Sequence, residues 1–185
     1  MAAGDLTTAK NVKEWLGSSA ATADDAMLGR LVTACSQYVQ TWLNRAIAAQ
    51  TYTEQRDGNG KTRMICADYP VTAVAAVVVD GNAIPPSPDV FTSGYFFDAY
   101  SIRLRGYDFG QRDGGVTIQY TAGFSAIPPE LEQAVIETVA LRYKERDRIG
   151  HASKSIGGET VAFTITDFPK SVQTIINNYK KVVPL

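Results

Sequence analysis

The fold is decided by the stretch Ile127-Pro-Pro-Glu-Leu-Glu-Gln-Ala-Val-Ile-Glu-Thr-Val-Ala-Leu-Arg-Tyr143, where helical spacing returns after a long run of strand-like sequence. A proline in the first turn followed by an acidic residue is typical of a helix N-terminus. An apolar face needs a partner, so this helix has to pack against another part of the chain. That face is formed by Leu131, Ala134, Val135, Thr138, Val139 and Tyr143.

The N-terminal residues supply two helices with matching faces. Thr7 or Thr8 can cap a first helix that ends at Gly17. A longer second helix begins near Asp24 and Asp25, because carboxylates favour the positive end of the helix dipole. The apolar positions are Val12, Trp15 and Leu16 in the first helix and, in the second, Met27 or Leu28, Leu31 or Val32, Cys35, Tyr38 or Val39, and Trp42.

A last helix is predicted after Asp167. Neither helical end holds enough apolar surface to fold well alone, so we expect the two ends to share one core. The last helix would use Val172, Ile175, Ile176 and Tyr179, and the main contact would join Leu31, Cys35 and Tyr38 to Val135, Val139 and Tyr143.

Between the helical ends the sequence is typical of β-structure. We predict a hairpin from strands at 51–56 and 62–66, because Asp57-Gly-Asn-Gly-Lys61 consists largely of residues that tolerate positive φ. The β-branched run Val71–Val79 predicts a buried strand. Further strands are predicted around the aromatic residues 91–100, over 102–105 and over 116–120, with a proline-rich loop at 84–88.

These elements predict an α+β fold in which N- and C-terminal helices form a helical core that carries an inserted antiparallel β-rich block. The predicted helical domain is discontinuous and comprises residues 1–49 and 125–185. The inserted subdomain comprises residues 50–124. Within the second helical part, residues 150–166 are predicted as a flexible loop, rich in small polar residues, followed by a short strand at 160–165.

Composition narrows the class of function. The 185 residues are 45% hydrophobic and 20% charged with a net charge of −1, which gives no overall attraction to DNA or to anionic membranes. The longest aliphatic run, at 73–79, is too short to span a bilayer, and Met1-Ala-Ala-Gly-Asp5 does not resemble a secretory signal. We expect a soluble protein made in a cytoplasm, with Cys35 and Cys66 as buried free thiols.

No motif in the sequence predicts catalysis, a metal site or a cofactor. Gly58–Thr62 ends like a phosphate-binding loop but lacks the first glycine and lies in a predicted hairpin. Asp57 and Asn59 begin like a calcium loop, but Lys61 occupies the next ligand position. His151 is the only histidine and lies in a predicted flexible loop. We therefore expect a protein that is not an enzyme.

Basic residues cluster at the end of the helix that starts at Pro129. Arg142, Arg146 and Arg148 are interleaved with acidic residues, so a solvated face near the helix C-terminus is one interpretation. The other is a weak contact between these three arginines and DNA phosphates.

Read in order, several phrases resemble the head–tail connector (adaptor) proteins of tailed bacteriophages. The resemblance extends over nearly the whole chain, although it is loose between residues 84 and 112. The matching phrases are Leu6-Thr-Thr, Val12-Lys-Glu-Trp-Leu16, Asp24-Asp25, Tyr38, Tyr52-Thr-Glu54, Asp57-Gly-Asn-Gly60, Tyr69-Pro-Val71, Val77-Val-Val-Asp-Gly81, Val116–Phe124, Ile127-Pro-Pro-Glu-Leu131, Ala134, Arg142-Tyr143, Gly157-Gly158, Val161–Ile165 and Tyr179-Lys-Lys-Val182.

This resemblance implies a structural subunit at the virion head–tail junction, assembled in the host cytoplasm. Its implied partners are further copies of itself in a ring, usually of twelve, the portal protein above and a stopper or tail-completion protein below. DNA would pass through the channel without sequence-specific contacts, and no membrane is involved. The alternative is a DNA-packaging or nucleic-acid-binding accessory protein.

The strand after the predicted loop is a candidate subunit interface. A strand beside a glycine-rich loop can add to a sheet of a neighbouring subunit, where backbone hydrogen bonds fix the direction of the contact. We expect Ile156, Val161, Phe163 and Ile165 to lie near a subunit or partner boundary.

Overall fold

The computed structural model describes residues 2, 4–17, 24–89, 91–146, 153–156, 159–162 and 168–181, and of 153–156 and 159–162 it describes the backbone. Within these ranges it has four α-helices and nine β-strands, and the predicted α+β fold with a β-rich block between helical ends is confirmed. The helices are α1 (Ala9–Leu16), α2 (Asp25–Leu43), α3 (Pro129–Glu145) and α4 (Lys170–Asn178). The strands are β1 (Gln50–Arg56), β2 (Arg63–Ile65), β3 (Val71–Val79), β4 (Asn82–Ile84), β5 (Gly94–Phe97), β6 (Ser101–Arg105), β7 (Val116–Ala122), β8 (Ser153–Ile156) and β9 (Glu159–Ala162).

The chain divides into two compact units. The helical unit comprises Met1–Arg45 and Ile127–Val182, and the β unit comprises Ala46–Ala126. We predicted a helical domain and an inserted subdomain with boundaries at residues 49/50 and 124/125. That the two parts are separate domains with these boundaries stays a prediction.

In the helical unit, α1 begins and ends as its sequence predicts. The hydroxyl of Thr8 accepts a hydrogen bond from the Asn11 amide at 3.1 Å, which satisfies a donor of the first turn. Gly17 ends the helix at φ +68°, where a side chain would be strained. Val12 and Leu16 are buried, but Trp15, predicted on the same apolar face, is 55% exposed.

Helices α2 and α3 pack along apolar stripes from the two ends of the chain. The sequence left two alternatives at each turn of α2, and the second of each pair is the buried one. Leu31 and Tyr38, which we predicted in the main contact with α3, are half-buried. Tyr38 also stacks on Phe168 with ring centroids 4.9 Å apart. The buried side chains are Leu28, Val32, Cys35, Ser36, Val39 and Leu43 in α2, and Leu131, Ala134, Val135, Ile136, Thr138, Val139, Ala140 and Tyr143 in α3.

Helix α4 completes the helical unit. Val172 and Ile176 are fully buried, while the other predicted core positions, Ile175 and Tyr179, are half-buried. The Lys181 amide donates to the carbonyl oxygen of Leu43 at 3.0 Å, so the chain after α4 is tied to the end of α2.

The β unit consists of two antiparallel sheets. One has the strand order β1-β7-β3-β4 and the other β2-β6-β5. Along β7, alternate residues point inward, as the sequence predicts. One hydrophobic cluster draws on both sheets: Met64, Cys66, Val71, Val77, Val79, Ile84, Tyr95, Ile102, Leu104, Phe109, Val116, Ile118, Tyr120 and Ala122.

The predicted hairpin of 51–56 with 62–66 is wrong. Strand β1 pairs with β7, whereas β2 pairs with β6 in the other sheet. The glycine-rich segment between them bonds to a distant part of the chain: the Gly58 amide donates to Arg112 at 2.9 Å, and Phe109 donates to Lys61 at 3.0 Å. A Cβ on Gly58 would lie 2.2 Å from the Phe109 carbonyl oxygen, so glycine is required there for close approach.

Strand β3 is also less buried than predicted. Irregularities in its pairing with β7 between Val71 and Ala73 and between Val74 and Ala76 interrupt the alternation, and six of its nine residues are at least partly exposed. A tight turn joins it to β4, with positive φ at Asp80 (49°) and Gly81 (83°).

Part of the predicted loop at 150–158 is a strand. Ser153–Ile156 forms β8, which pairs antiparallel with β9, with Lys154 opposite Val161. Only Gly157 and Gly158 separate the two strands in sequence, and a Gly-Gly pair between strand-forming residues is a hairpin signal. Part of the strand predicted at 160–165 lies outside the described residues.

Candidate assembly surfaces

The β8–β9 ribbon is the first candidate surface. Each strand pairs with the other along one edge, and among the described strands neither pairs with anything else. The outer edges therefore present backbone donors and acceptors that a strand from another molecule can use. Ile156 and Val161 lie on these strands, whereas Phe163 and Ile165 lie outside the described residues.

The second candidate surface is the basic C-terminal end of α3. The Arg142 guanidinium lies 5.0 Å from the centre of the Tyr38 ring, and that of Arg146 lies 4.1 Å from the centre of the Tyr143 ring. Arg146 also donates to the Tyr143 carbonyl oxygen at 3.0 Å. These contacts hold both cations against the protein surface. Arg148, the third candidate for a DNA contact, lies outside the described residues, and contact of these arginines with DNA stays a prediction.

Close to this basic end, α3 is tied to the start of α2. The Tyr143 hydroxyl donates to the Asp24 carboxylate, and this hydrogen bond, followed by burial, raises the pKa of Tyr143. Asp24 occupies the N-cap position of α2, at the predicted start of this helix, but its side chain makes no cap hydrogen bond. Asp25 forms an ion pair with Lys13 of α1. The two carboxylates thus join three helices.

A groove between α1 and α3 is the third candidate surface. It has a volume of about 570 Å³, and its lining includes Glu14, Trp15 and Ile136. Glu132 is held in its wall by hydrogen bonds to its carboxylate from Asn11 Nδ2 at 2.7 Å and from Thr7 Oγ1 at 3.1 Å. We name this surface the acidic groove and define it by Asn11, Glu14, Trp15, Pro129, Glu132 and Ile136.

The fourth candidate is the outer side of the β2-β6-β5 sheet. Arg63, Arg103 and Phe96 lie side by side across the three strands. The guanidinium of Arg105 lies 5.3 Å from the centre of the Phe96 ring, and Arg103 pairs with Asp98 at 3.2 Å. Ile65 is 45% exposed and Phe96 36%. We name this surface the arginine face and define it by Arg63, Ile65, Phe96, Arg103 and Arg105.

Asp98 organises one side of the arginine face. Its carboxylate accepts from the Tyr100 amide at 2.9 Å, from the Ser101 amide at 2.8 Å and from the Ser101 hydroxyl at 2.9 Å. The Tyr100 bond is the largest cause of a lowered pKa at Asp98, so this carboxylate is ionised at neutral pH. Arg63 Nε donates a 3.0 Å hydrogen bond to the Ser101 hydroxyl, which in turn donates to the Asp98 carboxylate.

The core of the β unit contains a buried polar cluster with a structural role. The hydroxyl of Tyr120, which is fully buried, donates to Glu54 and accepts from the Asp68 amide at 3.1 Å. The other oxygen of Glu54 pairs with Arg56 Nε at 2.6 Å. Burial, reinforced by the charge of Glu54, raises the pKa of Cys66 to about 12, so this thiol is a poor nucleophile at neutral pH.

The predicted burial of both cysteines is confirmed, and burial also raises the pKa of Cys35. Across the described ranges, no group of three or more His, Cys, Asp or Glu side chains could hold a metal ion. No helix in the described part of the chain is long and apolar enough to cross a membrane. His151, the only histidine, lies outside the described residues.

The acidic groove and the arginine face were not predicted from sequence. Alternation in Arg103-Leu104-Arg105 would have placed two arginines on one side of a strand. That Arg63 lies beside Arg103 depends on the pairing of two strands that are far apart in sequence, which the sequence pattern does not specify. The exposure of Trp15 depends equally on how α1 packs.

Open strand edges and arginines that rest on aromatic rings are features suited to contacts with other proteins. The sequence profile of the family Head completion protein matches residues 5–182. The chain therefore belongs to the head completion protein family. The resemblance to phage head–tail connector proteins is thereby confirmed, and the chain has a structural role in connecting head and tail.

Solved structures of gene transfer agent (GTA) particles contain similar chains. They are the neck of an empty GTA particle computed with C6 symmetry (20% identity, TM-score 0.60), the virion of a native GTA particle (19%, 0.61) and the neck of a native GTA particle computed with C12 symmetry (18%, 0.61). Each match covers 100% of this chain and 94% of the other. At this identity the likeness shows a shared fold. No curated protein matches the sequence.

Proposed function

We propose that the chain is a subunit of a ring at the head–tail junction of a phage-type particle. The ring lies below the portal, extends the DNA channel and presents a docking surface for a stopper or tail-completion protein. The family match over residues 5–182 is the observation that carries this proposal. It is supported by the shared fold with chains in particle necks whose structures were computed with C6 and C12 symmetry.

A ring of identical subunits requires two different surfaces on each copy, one for each neighbour. The open edges of β8 and β9 can supply one of them, because strand addition gives backbone hydrogen bonds with a fixed direction. On this proposal Ile156 and Val161, together with Phe163 and Ile165, lie near a subunit or partner boundary. Contacts that are weak in pairs can hold in a ring, since each subunit is held on both sides.

The role proposed for DNA is passage without a strong grip. The net charge of −1 gives no overall attraction to phosphates. Arg142 and Arg146 rest on aromatic rings, so any contact that they and Arg148 make with DNA is proposed to be weak. The protein is proposed to act without catalysis.

The ribbon can be tested by Val161→Pro, which removes one backbone donor from β9. We expect assembly on the particle's portal rings, measured by sedimentation, to be lost or greatly reduced. The melting midpoint of the free subunit should change by only a few degrees, because the buried side chains of α2, α3 and α4 are untouched. Val161→Thr, which keeps both the donor and the β-branched shape, is the matched control.

Normal assembly of Val161→Pro on portals would count against the ribbon as an interface. A native protein that stays monomeric with portals and binds duplex DNA with steep salt dependence would favour the accessory-protein alternative instead.

A further inference from the structure

The arginine face of the β unit carries more positive than negative charge around an exposed apolar centre. Its three arginines are opposed by Asp98 and, at the edge, by Asp89, whose pKa is lowered mainly by the Phe91 amide and slightly by Arg105. Ile65 and Phe96 lie in the outer surface of the sheet, although apolar groups of this size are usually buried. Such a surface, with arginine around an aromatic residue, is typical of protein interfaces.

The acidic groove of the helical unit has the opposite character. Glu14 and Glu132 are its carboxylates, and Glu14 forms an exposed ion pair with Lys10 at 3.8 Å, which offsets little of its charge. The donors that the structure gives to Glu132 are the neutral groups of Thr7 and Asn11, so its charge is not balanced by an ion pair among the described residues. Trp15 is 55% exposed beside Pro129 and Ile136.

These two surfaces match in charge and in apolar centre. One surface carries arginines and the other carries glutamates, and each has an exposed aromatic ring, Phe96 on one and Trp15 on the other. A closed ring requires one contact between two different, complementary surfaces, repeated from copy to copy. The matched pair within one chain therefore favours a second copy as the occupant.

Duplex DNA fits the arginine face less well. Contacts to duplex DNA are dominated by phosphates, and an exposed Phe96 and Ile65 gain nothing from them. Arg103 is already paired with Asp98, which reduces the charge available to a phosphate chain.

We propose that the arginine face of each subunit docks on the acidic groove of the next subunit in the ring, with Phe96 against Trp15 and Arg105 near Glu14. This proposal rests on the ring proposed above and assigns it a side-chain contact in addition to the ribbon. The contact is head-to-tail, so neither surface meets its own counterpart.

The test is a charge exchange in the full chain. Arg105→Glu reverses one charge on the arginine face, at a residue that rests on the Phe96 ring. Glu14→Arg reverses one charge on the acidic groove, at an exposed position. Each single change should raise the protein concentration needed for half-maximal ring assembly on portals by about tenfold. The chain with both changes should return to within about threefold of the native value.

The control is Lys144→Glu, which also reverses one charge at an exposed position, on α3. This variant should assemble as the native protein does. The melting midpoint of every variant should match the native one. A second measurement mixes a Phe96→Cys chain with a Trp15→Cys chain and a short bis-thiol crosslinker. Covalent pairs should form in the mixture and not in either variant alone, since Cys35 and Cys66 are buried.

The proposal is overturned if the single variants assemble normally, if the double variant stays as weak as the singles, or if Phe96→Cys crosslinks to itself. It is also overturned if Arg105→Glu abolishes salt-dependent DNA binding and leaves assembly unchanged. If native protein forms no ring on portals, the proposed function fails and this contact fails with it. If native rings form but the exchange has no effect, only the contact fails.

Discussion

At the scale of single residues, hydrogen bonds to buried polar groups do most to fix local geometry. Tyr120, at the centre of the β unit, links Glu54 on β1 to the amide of Asp68 between β2 and β3. A buried donor or acceptor that loses its partner costs about 1–3 kcal/mol. The sequence showed Tyr120 as an inward position of an alternating strand, but its polar partners come from distant segments and are not visible in that pattern.

Replacement of Tyr120 by Phe is therefore expected to destabilise the protein. The ring remains stacked on Tyr52, 5.6 Å away between centroids, whereas the Asp68 amide loses its acceptor. We expect a loss of about 1–3 kcal/mol in the free energy of unfolding, measured by urea denaturation. Tyr52→Phe, whose hydroxyl bonds the exposed Gln50, is the control and should cost less than about 0.5 kcal/mol. Equal losses would mean that the hydrogen bonds of Tyr120 contribute little.

At the scale of elements, the sequence predicts the existence of a helix or strand better than its pairing. The spacing of apolar residues together with Pro129 predicted α3, and the alternation of apolar and polar residues predicted β7. The wide stripe of α2 left two choices at each turn, and it is packing within the helical unit that buries Leu28 rather than Met27 and Val32 rather than Leu31. The 57–61 segment failed as a hairpin turn because long-range bonds to 109–114 displaced the local pairing.

The register of α2 gives a direct comparison between neighbouring leucines. Leu28 is fully buried, and Leu28→Ala should cost about 2–5 kcal/mol of unfolding free energy through lost burial and the cavity left behind. Leu31 is half-buried, so Leu31→Ala should cost clearly less. Thermal and urea unfolding of both variants provides the measurement. A larger loss at Leu31 would support the register that we first predicted and contradict the structure.

The β8–β9 ribbon should become more stable when the subunit joins its neighbours. A two-stranded ribbon alone is marginal, and a third strand on its open edge would protect further amides. Hydrogen exchange of residues 153–156 and 159–162 should therefore be faster in the free subunit than in the assembled connector, while buried amides of α3 exchange slowly in both. Equal rates in the two states would argue against ordering on assembly.

At the scale of the whole molecule, a structural role in connecting head and tail depends on surfaces that contact other subunits. The two thiols are buried and their pKa values are raised, and described carboxylates such as Glu54 and Asp98 are held in ion pairs and hydrogen bonds. Sequence order alone supported the family resemblance, since each phrase is short and weak by itself. The partners could not be predicted in the same way, because interfaces join residues that lie far apart along the chain.

The central claim is that copies of this chain form a closed ring on the portal. It is tested most directly by electron cryomicroscopy of the purified full chain after mixing with portal rings, with native mass spectrometry for the copy number. We predict a closed ring bound to one end of the portal with a continuous axial channel, usually of twelve copies as the connector family implies. Portals that stay bare at saturating protein, or that bind single copies without contacts between them, would contradict it.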